Sequence, residues 1–146
     1  MKRKYPKNAL VGVGGVVIDR DRALLIRRGH EPLKGEWSIP GGMLELGEEL
    51  AAGVRRELKE ETGLDVEPLE CILVFDRIMR EGERVKYHYV IIDYLVHVKA
   101  GTAEASSDAV ELRWVSFDEV EGYDLTASFR LFFRQNRKKM ETANSF

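Results

Sequence analysis

The chain has 146 residues, 44% of them apolar, which is the size and composition of one domain with its own hydrophobic core, and we expect a single domain over residues 1–146. Its 23 basic and 25 acidic residues give a formal net charge of -2, and this excludes an overall positive surface that would bind long nucleic acid. No apolar run reaches the roughly 18 residues that a membrane-spanning helix needs, so no membrane association is predicted.

The chain contains one cysteine, Cys71. A single cysteine excludes a disulfide within the chain and a multi-cysteine zinc site. Because Cys71 lies in an apolar stretch, we expect it to be a buried core residue. A chain without disulfides suits the reducing cytosol, and a cytoplasmic location is predicted.

The first elements read as a β-hairpin. Residues 9–18 are rich in β-branched residues and glycines, and the polar residues 19–22 separate them from a second apolar run, residues 23–26. The glycines do not fit a phosphate-binding fingerprint, so we interpret them as room for neighbouring backbone. Arg27 and Arg28 end the second strand. Because side chains alternate along a strand, we expect one of the two to face the helix that follows and the other to face solvent.

An α-helix is predicted over residues 49–62. At 100° per residue its apolar side chains form one stripe, which must face a core. Glu57, Glu60 and Glu61 lie on the neighbouring stripe, so three carboxylates crowd one face at the edge of the buried surface. Gly63 is placed to end the helix as its C-terminal cap.

The crowded carboxylates have two interpretations. Charged helix faces are most often simply solvated, and Arg56 can pair with Glu60 one turn away. Alternatively, the like charges of Glu57 and Glu61 bind a hard divalent cation. Mg²⁺ prefers carboxylate and water oxygens, and it usually completes its coordination shell with substrate phosphates.

A glycine pair and the residues after it resemble a known motif. Gly41 and Gly42 allow close approach of backbone, so a carbonyl or amide there can reach a metal or a phosphate. Residues 42–64 resemble the Nudix box: Gly, five residues, Glu, seven residues, then Arg-Glu-apolar-any-Glu-Glu-any-Gly-apolar. The chain is identified as a member of the Nudix hydrolase family by these positions: Gly42, Glu48, Arg56, Glu57, Leu58, Glu60, Glu61, Gly63 and Leu64.

The resemblance implies an α/β (α+β) fold in which a mixed β-sheet lies between helices. It also implies a hydrolase of phosphorus-containing acid anhydrides that uses Mg²⁺, with Mn²⁺ as a substitute. Glu57, Glu60 and Glu61 are then the catalytic residues and metal ligands, while Arg56 has a structural role. The remaining expected contacts are the Gly41 carbonyl and Asp108 to metal, and Arg28, Gly41 and Gly42 to substrate.

Two long strands are predicted after the box, over residues 66–80 and 85–99, with a turn at residues 81–84. Because their apolar residues alternate poorly, we expect both to be central strands covered on both faces. Tyr87 and Tyr89 share one face of the second strand. They either pack in the core or, if that face lines the cleft, stack on a nucleobase.

The last third of the chain is predicted to hold a polar loop, a strand and a helix. The loop spans residues 101–108 and contains Glu104 and Asp108. A strand over residues 111–115 follows, and a closing helix covers residues 126–140. The inner side of that helix carries three aromatic side chains, Phe129, Phe132 and Phe133.

The reaction implied by the resemblance is hydrolysis of the pyrophosphate linkage in a nucleoside diphosphate derivative. Glu57 is the leading general base, and Glu104 or Asp108 takes that role in other branches of the family. The lead substrate class is ADP-ribose-like, with (deoxy)nucleoside triphosphates as the alternative. A non-catalytic nucleotide-binding module is the third interpretation. The expected partner is a small nucleotide, and because homodimers are common in the family, a homodimer also stays open.

Overall fold

The computed structural model describes residues 3–104 and 109–143. Within these two ranges the chain forms two helices and eight strands, with a short 3₁₀ turn at Val120–Gly122. In chain order the elements are β1 (Leu10–Val16), β2 (Ile18–Asp19), β3 (Arg22–Arg28), β4 (Trp37–Ser38), β5 (Gly41–Met43), α1 (Leu50–Thr62), β6 (Asp65–Glu81), β7 (Arg84–Ala100), β8 (Ala109–Ser116) and α2 (Ala127–Thr142).

The strands form two sheets. The first has the order β5-β1-β7-β6, in which β1 and β7 are parallel and the other pairs are antiparallel. The second is antiparallel and joins β2, β3 and β4, with β8 paired to β3. The predicted α+β fold with a mixed sheet and helices is confirmed.

The predicted first hairpin is correct only at its tip. β2 and β3 pair as expected, but β1 belongs to the other sheet, so the apolar run at residues 9–18 is two strands instead of one. The chain passes between the sheets at Val17, whose carbonyl accepts a hydrogen bond from the Leu24 N–H at 3.0 Å. Local patterning could not reveal this change of sheet, because the partners of β1 lie far away in the sequence.

The acidic helix α1 has the predicted limits to within one residue. It begins at Leu50 and ends at Thr62. Gly63 takes a left-handed conformation with φ of 80°, and its N–H donates to the Lys59 carbonyl at 3.0 Å. The predicted glycine cap is confirmed, and a residue with a Cβ would be strained there.

Each helix anchors one hydrophobic cluster. Val54 and Leu58 of α1 are fully buried and pack with Val13 of β1 and Val96 of β7. Full burial of a side chain of this size stabilises the fold by roughly 1.5–3 kcal/mol. The apolar stripe predicted for α1 therefore fastens the helix to the first sheet and holds the neighbouring carboxylates at the edge of this core.

Helix α2 covers the second cluster with the three predicted phenylalanines, which are all buried. The helix begins after Thr126, whose hydroxyl accepts a hydrogen bond from the Phe129 N–H at 3.4 Å. Within the described part of the chain, neither helix is long and apolar enough to cross a lipid bilayer.

Two predictions about β6 are wrong. It is an edge strand of the first sheet, paired with β7, and not a central strand. Two of its large apolar side chains are exposed, Val74 by 60% and Ile78 by 44%. Cys71, which was expected in the core, is also exposed. The apolar composition of a strand does not indicate how many strands pair with it, and β6 is paired along only one of its edges.

Candidate active site

The carboxylates of α1 lie against the backbone of β5. The Gly41 N–H donates a hydrogen bond to Glu61 Oε1 at 2.9 Å. A Cβ added to Gly42 would lie 2.1 Å from Glu57 Oε2, and one added to Gly41 would lie 2.3 Å from the Val13 carbonyl oxygen. Side chains at these two positions would collide with neighbours, so the glycine pair is what lets strand and carboxylates come together.

Arg56 connects several residues of the box by hydrogen bonds. Its guanidinium donates to both carboxylate oxygens of Glu48, at 2.7 and 2.8 Å, and to the Met43 carbonyl at 2.9 Å. It also donates to Glu57 at 2.8 Å and, more weakly, to Glu60 at 3.3 Å. These bonds lower the pKa of Glu48 to about 2 and raise the pKa of Arg56. Arg56 thus connects the loop before α1 to the helix, which agrees with the structural role predicted for this residue.

Glu57 experiences two opposing influences. Its side chain is only 15% exposed, and burial raises the pKa of its carboxyl group. The hydrogen bond and positive charge of Arg56 lower that pKa, and burial prevails. A carboxylate with a raised pKa accepts a proton more readily near neutral pH, which is what a general base requires.

All three carboxylates border one cavity of about 580 Å³, which is within the range of roughly 300–1,000 Å³ found for small-molecule sites. Glu57, Glu60 and Glu61 line one end of it together with Gly41 and Gly42. The cavity therefore unites the three box carboxylates that were predicted to be catalytic.

The floor of this cavity is one face of the first sheet. Side chains at alternate positions of β6 and β7 point into it, beside two glycines of β1. The sheet register arranges them in rows across the strands: Gly14, Asp93 and Leu73; Gly12, Ile91 and Phe75; and Tyr89 beside Arg77.

The β1 glycines make room for the floor. A Cβ added to Gly12 would lie 2.8 Å from Ile91 Cδ1. One added to Gly14 would lie 2.6 Å from Asp93 Oδ1 and 2.9 Å from the Pro40 carbonyl oxygen. The glycines were interpreted as room for backbone, and they accommodate side chains of β7 as well.

Arginines occupy the end of the cavity away from β5. Arg28 is half-buried and donates from Nε to the Pro32 carbonyl at 2.8 Å, whereas Arg27 is exposed at the rim. Arg77 lies 5.6 Å over the Phe75 ring, and its guanidinium donates to Ser128 Oγ at 3.0 Å. Burial lowers the pKa of both Arg28 and Arg77.

Three floor residues were missed or only partly foreseen from the sequence. Arg77 and Asp93 were not singled out, and Tyr89 was considered only for packing or stacking. Asp93 is 6% exposed, and burial raises its pKa to about 7 although the charge of Arg77 opposes that shift. The signal was present in the period-two pattern: each is a polar group on an otherwise apolar face of a strand.

Of the two downstream acidic candidates the structure describes Glu104, which does not line the cavity. Glu104 is exposed beyond the end of α1, where its N–H donates to the Thr62 carbonyl at 2.8 Å. Asp108 lies outside the described residues. Within residues 3–104 and 109–143, no group of three or more His, Cys, Asp and Glu side chains is arranged to hold a metal ion by itself. Any ion bound here needs oxygens from water or substrate, which is the usual arrangement for Mg²⁺.

Comparison with known proteins agrees with this geometry. A family model described as the NUDIX domain matches residues 9–135. The ADP-ribose pyrophosphatase of Methanocaldococcus jannaschii is 32% identical over 110 residues, which cover 75% of this chain and 63% of the relative. The chain thus spans less than two thirds of the length of that curated relative.

Solved structures share the fold. The crystal structure of a MutT NUDIX hydrolase from Burkholderia pseudomallei is 28% identical, with a TM-score of 0.72, and covers 88% of this chain and 98% of its own. The NUDIX domain of Shewanella oneidensis NrtR, solved in complex with ADP ribose, is 21% identical, with a TM-score of 0.72 over 92% of this chain and 90% of its own. Since the family model spans most of the sequence and the box carboxylates meet at one cavity, the chain belongs to the NUDIX domain family.

Proposed function

We propose that this protein hydrolyses the diphosphate linkage of small nucleoside diphosphate derivatives, with ADP-ribose-like compounds as the lead class. The observation that carries the proposal is the position of Glu57 and Glu61, which lie against the Gly41–Gly42 backbone at one end of a nucleotide-sized cavity. Catalysis at a diphosphate requires oxygen ligands and charge neutralisation at such a place.

The residues present fit a hard divalent cation. Glu57, Glu60 and Glu61, with the Gly41 carbonyl, would hold Mg²⁺ or Mn²⁺, and all of these donors are oxygens. When bound, the ion would neutralise charge on the phosphate oxygens and lower the pKa of a coordinated water. Asp108 stays a proposed additional ligand from the resemblance. Arg56 already neutralises part of the negative charge of Glu57 and Glu60, and Mg²⁺ is usually bound by only one or two carboxylates together with water and substrate phosphates.

The protein side chains have separate tasks in this proposal. Glu57 accepts a proton from the attacking water, and burial has raised its pKa toward the range in which a general base works best. Arg28, which also lines the cavity, donates hydrogen bonds to the phosphates, and the Gly41–Gly42 backbone lies at the same cavity. The exposed position of Glu104 outside the cavity favours Glu57 as the base.

Two observations support ADP-ribose-like compounds over nucleoside triphosphates. A relative of 32% identity is named ADP-ribose pyrophosphatase, and a domain with the same fold was solved with ADP ribose. A non-catalytic nucleotide-binding module is the remaining alternative. Such modules tend to lose box carboxylates, and all three are present at the cavity here.

The test is chromatographic detection of the nucleoside monophosphate formed from a panel of substrates with Mg²⁺ and with EDTA. The panel contains ADP-ribose, nucleotide sugars, dinucleotides and nucleoside triphosphates. We expect turnover of ADP-ribose-like compounds with Mg²⁺, and none with EDTA. Glu61→Gln should bind nucleotide but lose turnover by about 10²–10⁴-fold. The control is Glu49→Gln, which neutralises an exposed residue just before the same helix.

Three outcomes separate the alternatives. A preference for nucleoside triphosphates would instead identify the protein as a nucleoside triphosphate pyrophosphohydrolase that acts on the nucleotide pool. Nucleotide binding with no turnover of any compound would establish the non-catalytic module. Near-normal kinetics of Glu61→Gln with Mg²⁺ would remove the carboxylate from the reaction.

A further inference from the structure

Three arginines of the cavity lie close enough to one buried tyrosine to act on its hydroxyl group. The guanidiniums of Arg28, Arg77 and Arg3 all act on the hydroxyl of Tyr89 and oppose the rise in its pKa that burial causes. The positive charge of Arg28 also lowers the pKa of Arg77. All four side chains line the cavity.

Cations removed from water normally pair with an anion. In the described part of the chain, neither Arg28 nor Arg77 has a carboxylate oxygen within the 4.0 Å that defines a salt bridge. Among the residues that the structure describes, the Arg28 guanidinium donates to a carbonyl oxygen and the Arg77 guanidinium to a hydroxyl oxygen, although each carries five N–H groups. The two side chains therefore keep several donors for a ligand.

The hydroxyl of Tyr89 points to the same conclusion. Tyr89 is 4% exposed, and in the described part of the chain its oxygen is the buried side-chain atom without a hydrogen-bond partner. An unsatisfied buried hydroxyl costs about 1–3 kcal/mol. Arg77 lies directly across from Tyr89 in the register of β6 and β7. The remaining N–H groups of Arg77 and the hydroxyl of Tyr89 are therefore available to the same ligand.

We propose that Arg28, Arg77 and Tyr89 form a phosphate subsite that works without a metal ion, at the end of the cavity away from β5. The proposal rests on the function proposed above and deepens it. Arg28 was expected to contact phosphate by resemblance, and the structure adds Arg77 and Tyr89. A phosphate supplies oxygens for both guanidiniums and for the tyrosine hydroxyl, and charge-assisted bonds of this kind are strong in a desolvated cavity.

A phosphate fits this place better than a neutral group. Asp93 and Glu36 are the carboxyl groups that act on Arg77. Burial raises the pKa of both, and that of Asp93 reaches about 7, so Asp93 is only partly ionised at neutral pH. Arg77 is held by the Phe75 ring and by Ser128, so it is positioned before a ligand arrives. Arg28 is also influenced by the charge of Glu61, and thus it connects this subsite with the carboxylate end.

Calorimetric titration of the full chain in EDTA tests the subsite. The ligands are inorganic phosphate, AMP and adenosine. We expect AMP and inorganic phosphate to bind the wild type without metal, and adenosine to bind at least about tenfold more weakly than AMP. Arg77→Met keeps most of the side-chain volume, and Tyr89→Phe removes one oxygen atom. Each should weaken AMP binding by about 10–100-fold, the usual worth of a hydrogen bond to a charged group.

The matched control is Arg80→Met, which removes an exposed arginine from the same strand. AMP affinity in that variant should equal the wild-type value. If Arg77→Met unfolds, Tyr89→Phe still decides the result, because its ring and packing are unchanged. Equal AMP affinity in Tyr89→Phe and the wild type, or equal binding of adenosine and AMP, would overturn the subsite.

The same titration separates this inference from the proposed reaction. Glu61→Gln should keep metal-free AMP binding while losing turnover. A wild type that cleaves substrate with Mg²⁺ but shows no effect of Tyr89→Phe on AMP binding would leave the reaction standing and remove the subsite. A protein with no turnover, in which Tyr89→Phe weakens AMP binding, would do the reverse.

Discussion

The two ends of the cavity are built in opposite ways. At the carboxylate end, Glu57 and Glu61 come from one helix, and Arg56 of the same helix already bonds several of the acidic groups there. At the arginine end, Arg28, Arg77 and Tyr89 come from three different strands. In the described structure no carboxylate forms a salt bridge with either of these two arginines.

This difference teaches how the chain divides structural and ligand-binding charge. A charged group that is already hydrogen-bonded within its own motif stabilises the fold and has little capacity left to bind a ligand. A desolvated charge without a partner lowers stability and is available to a ligand, which can satisfy it on binding. We therefore expect the carboxylate end to respond to substitution in both stability and turnover, and the arginine end mainly in affinity.

Among substitutions that leave every carboxylate in place, the largest loss of turnover is expected from Gly42→Ala, which tests how closely β5 must approach the carboxylates. The new Cβ would lie 2.1 Å from Glu57 Oε2, so either the strand or the carboxylate must move. A displacement of about 1 Å in a catalytic group can cost about 10²-fold in rate, and we expect a loss of that size in kcat. Gly122→Ala is the control, because a Cβ there meets no atom within 4 Å. Unchanged kcat in Gly42→Ala would mean that the contact is not required for turnover.

The next prediction compares the loss of a charge within the box with the loss of a charge on the exposed surface. Arg56→Met leaves the partly buried Glu48 and Glu57 without their cation, and we expect the free energy of unfolding to fall by about 2–4 kcal/mol. Arg55→Met removes the neighbouring arginine, whose pair with Glu67 is about half exposed, and the free energy of unfolding should change much less than in Arg56→Met. Urea denaturation of both variants measures the difference. Equal losses would show that Arg56 has no special role in the box.

The smallest effect concerns Asp93, between the two ends. Its pKa in the folded chain is about 7, above the ordinary 3.8, so the folded state binds the proton more tightly than the unfolded state. The resulting stability is fully present below about pH 4 and is lost as pH rises through about 7. In Asp93→Asn this loss should be absent, so the free energy of unfolding should change less between about pH 5 and about pH 8 than in the wild type.

Asp76→Asn is the matched control for that measurement, since Asp76 lies on the exposed face of β6. Its stability should follow the wild-type pH dependence. If Asp93→Asn also follows the wild-type curve, the carboxyl of Asp93 is not held in its neutral form by the fold.

Much of the carboxylate end could be predicted from the sequence. The limits of α1, its apolar stripe, the Gly63 cap and the pairing of Arg56 with Glu60 all follow from contacts within or next to one helix. The hairpin of β6 and β7 was also found, because its turn and its two strands are adjacent in the chain. The metal-binding and catalytic roles of the carboxylates remain predictions.

Other features depended on partners that are distant in the sequence. The division of residues 9–18 between two sheets, the edge position of β6 and the exposure of Cys71 were all predicted incorrectly. Apolar alternation states which side chains share a face of a strand, but it does not identify the neighbouring strand or whether one exists.

The sequence by itself determined the family, the acidic helix and the glycine pair that approaches it, because helix periodicity and the spacing of the box act over a few turns of chain. Only the tertiary structure decided that Arg28, Arg77 and Tyr89 share one end of the cavity. Their meeting depends on the register of β6 against β7 and on the place of β3 in the second sheet, and such long-range pairings leave no local pattern in the sequence.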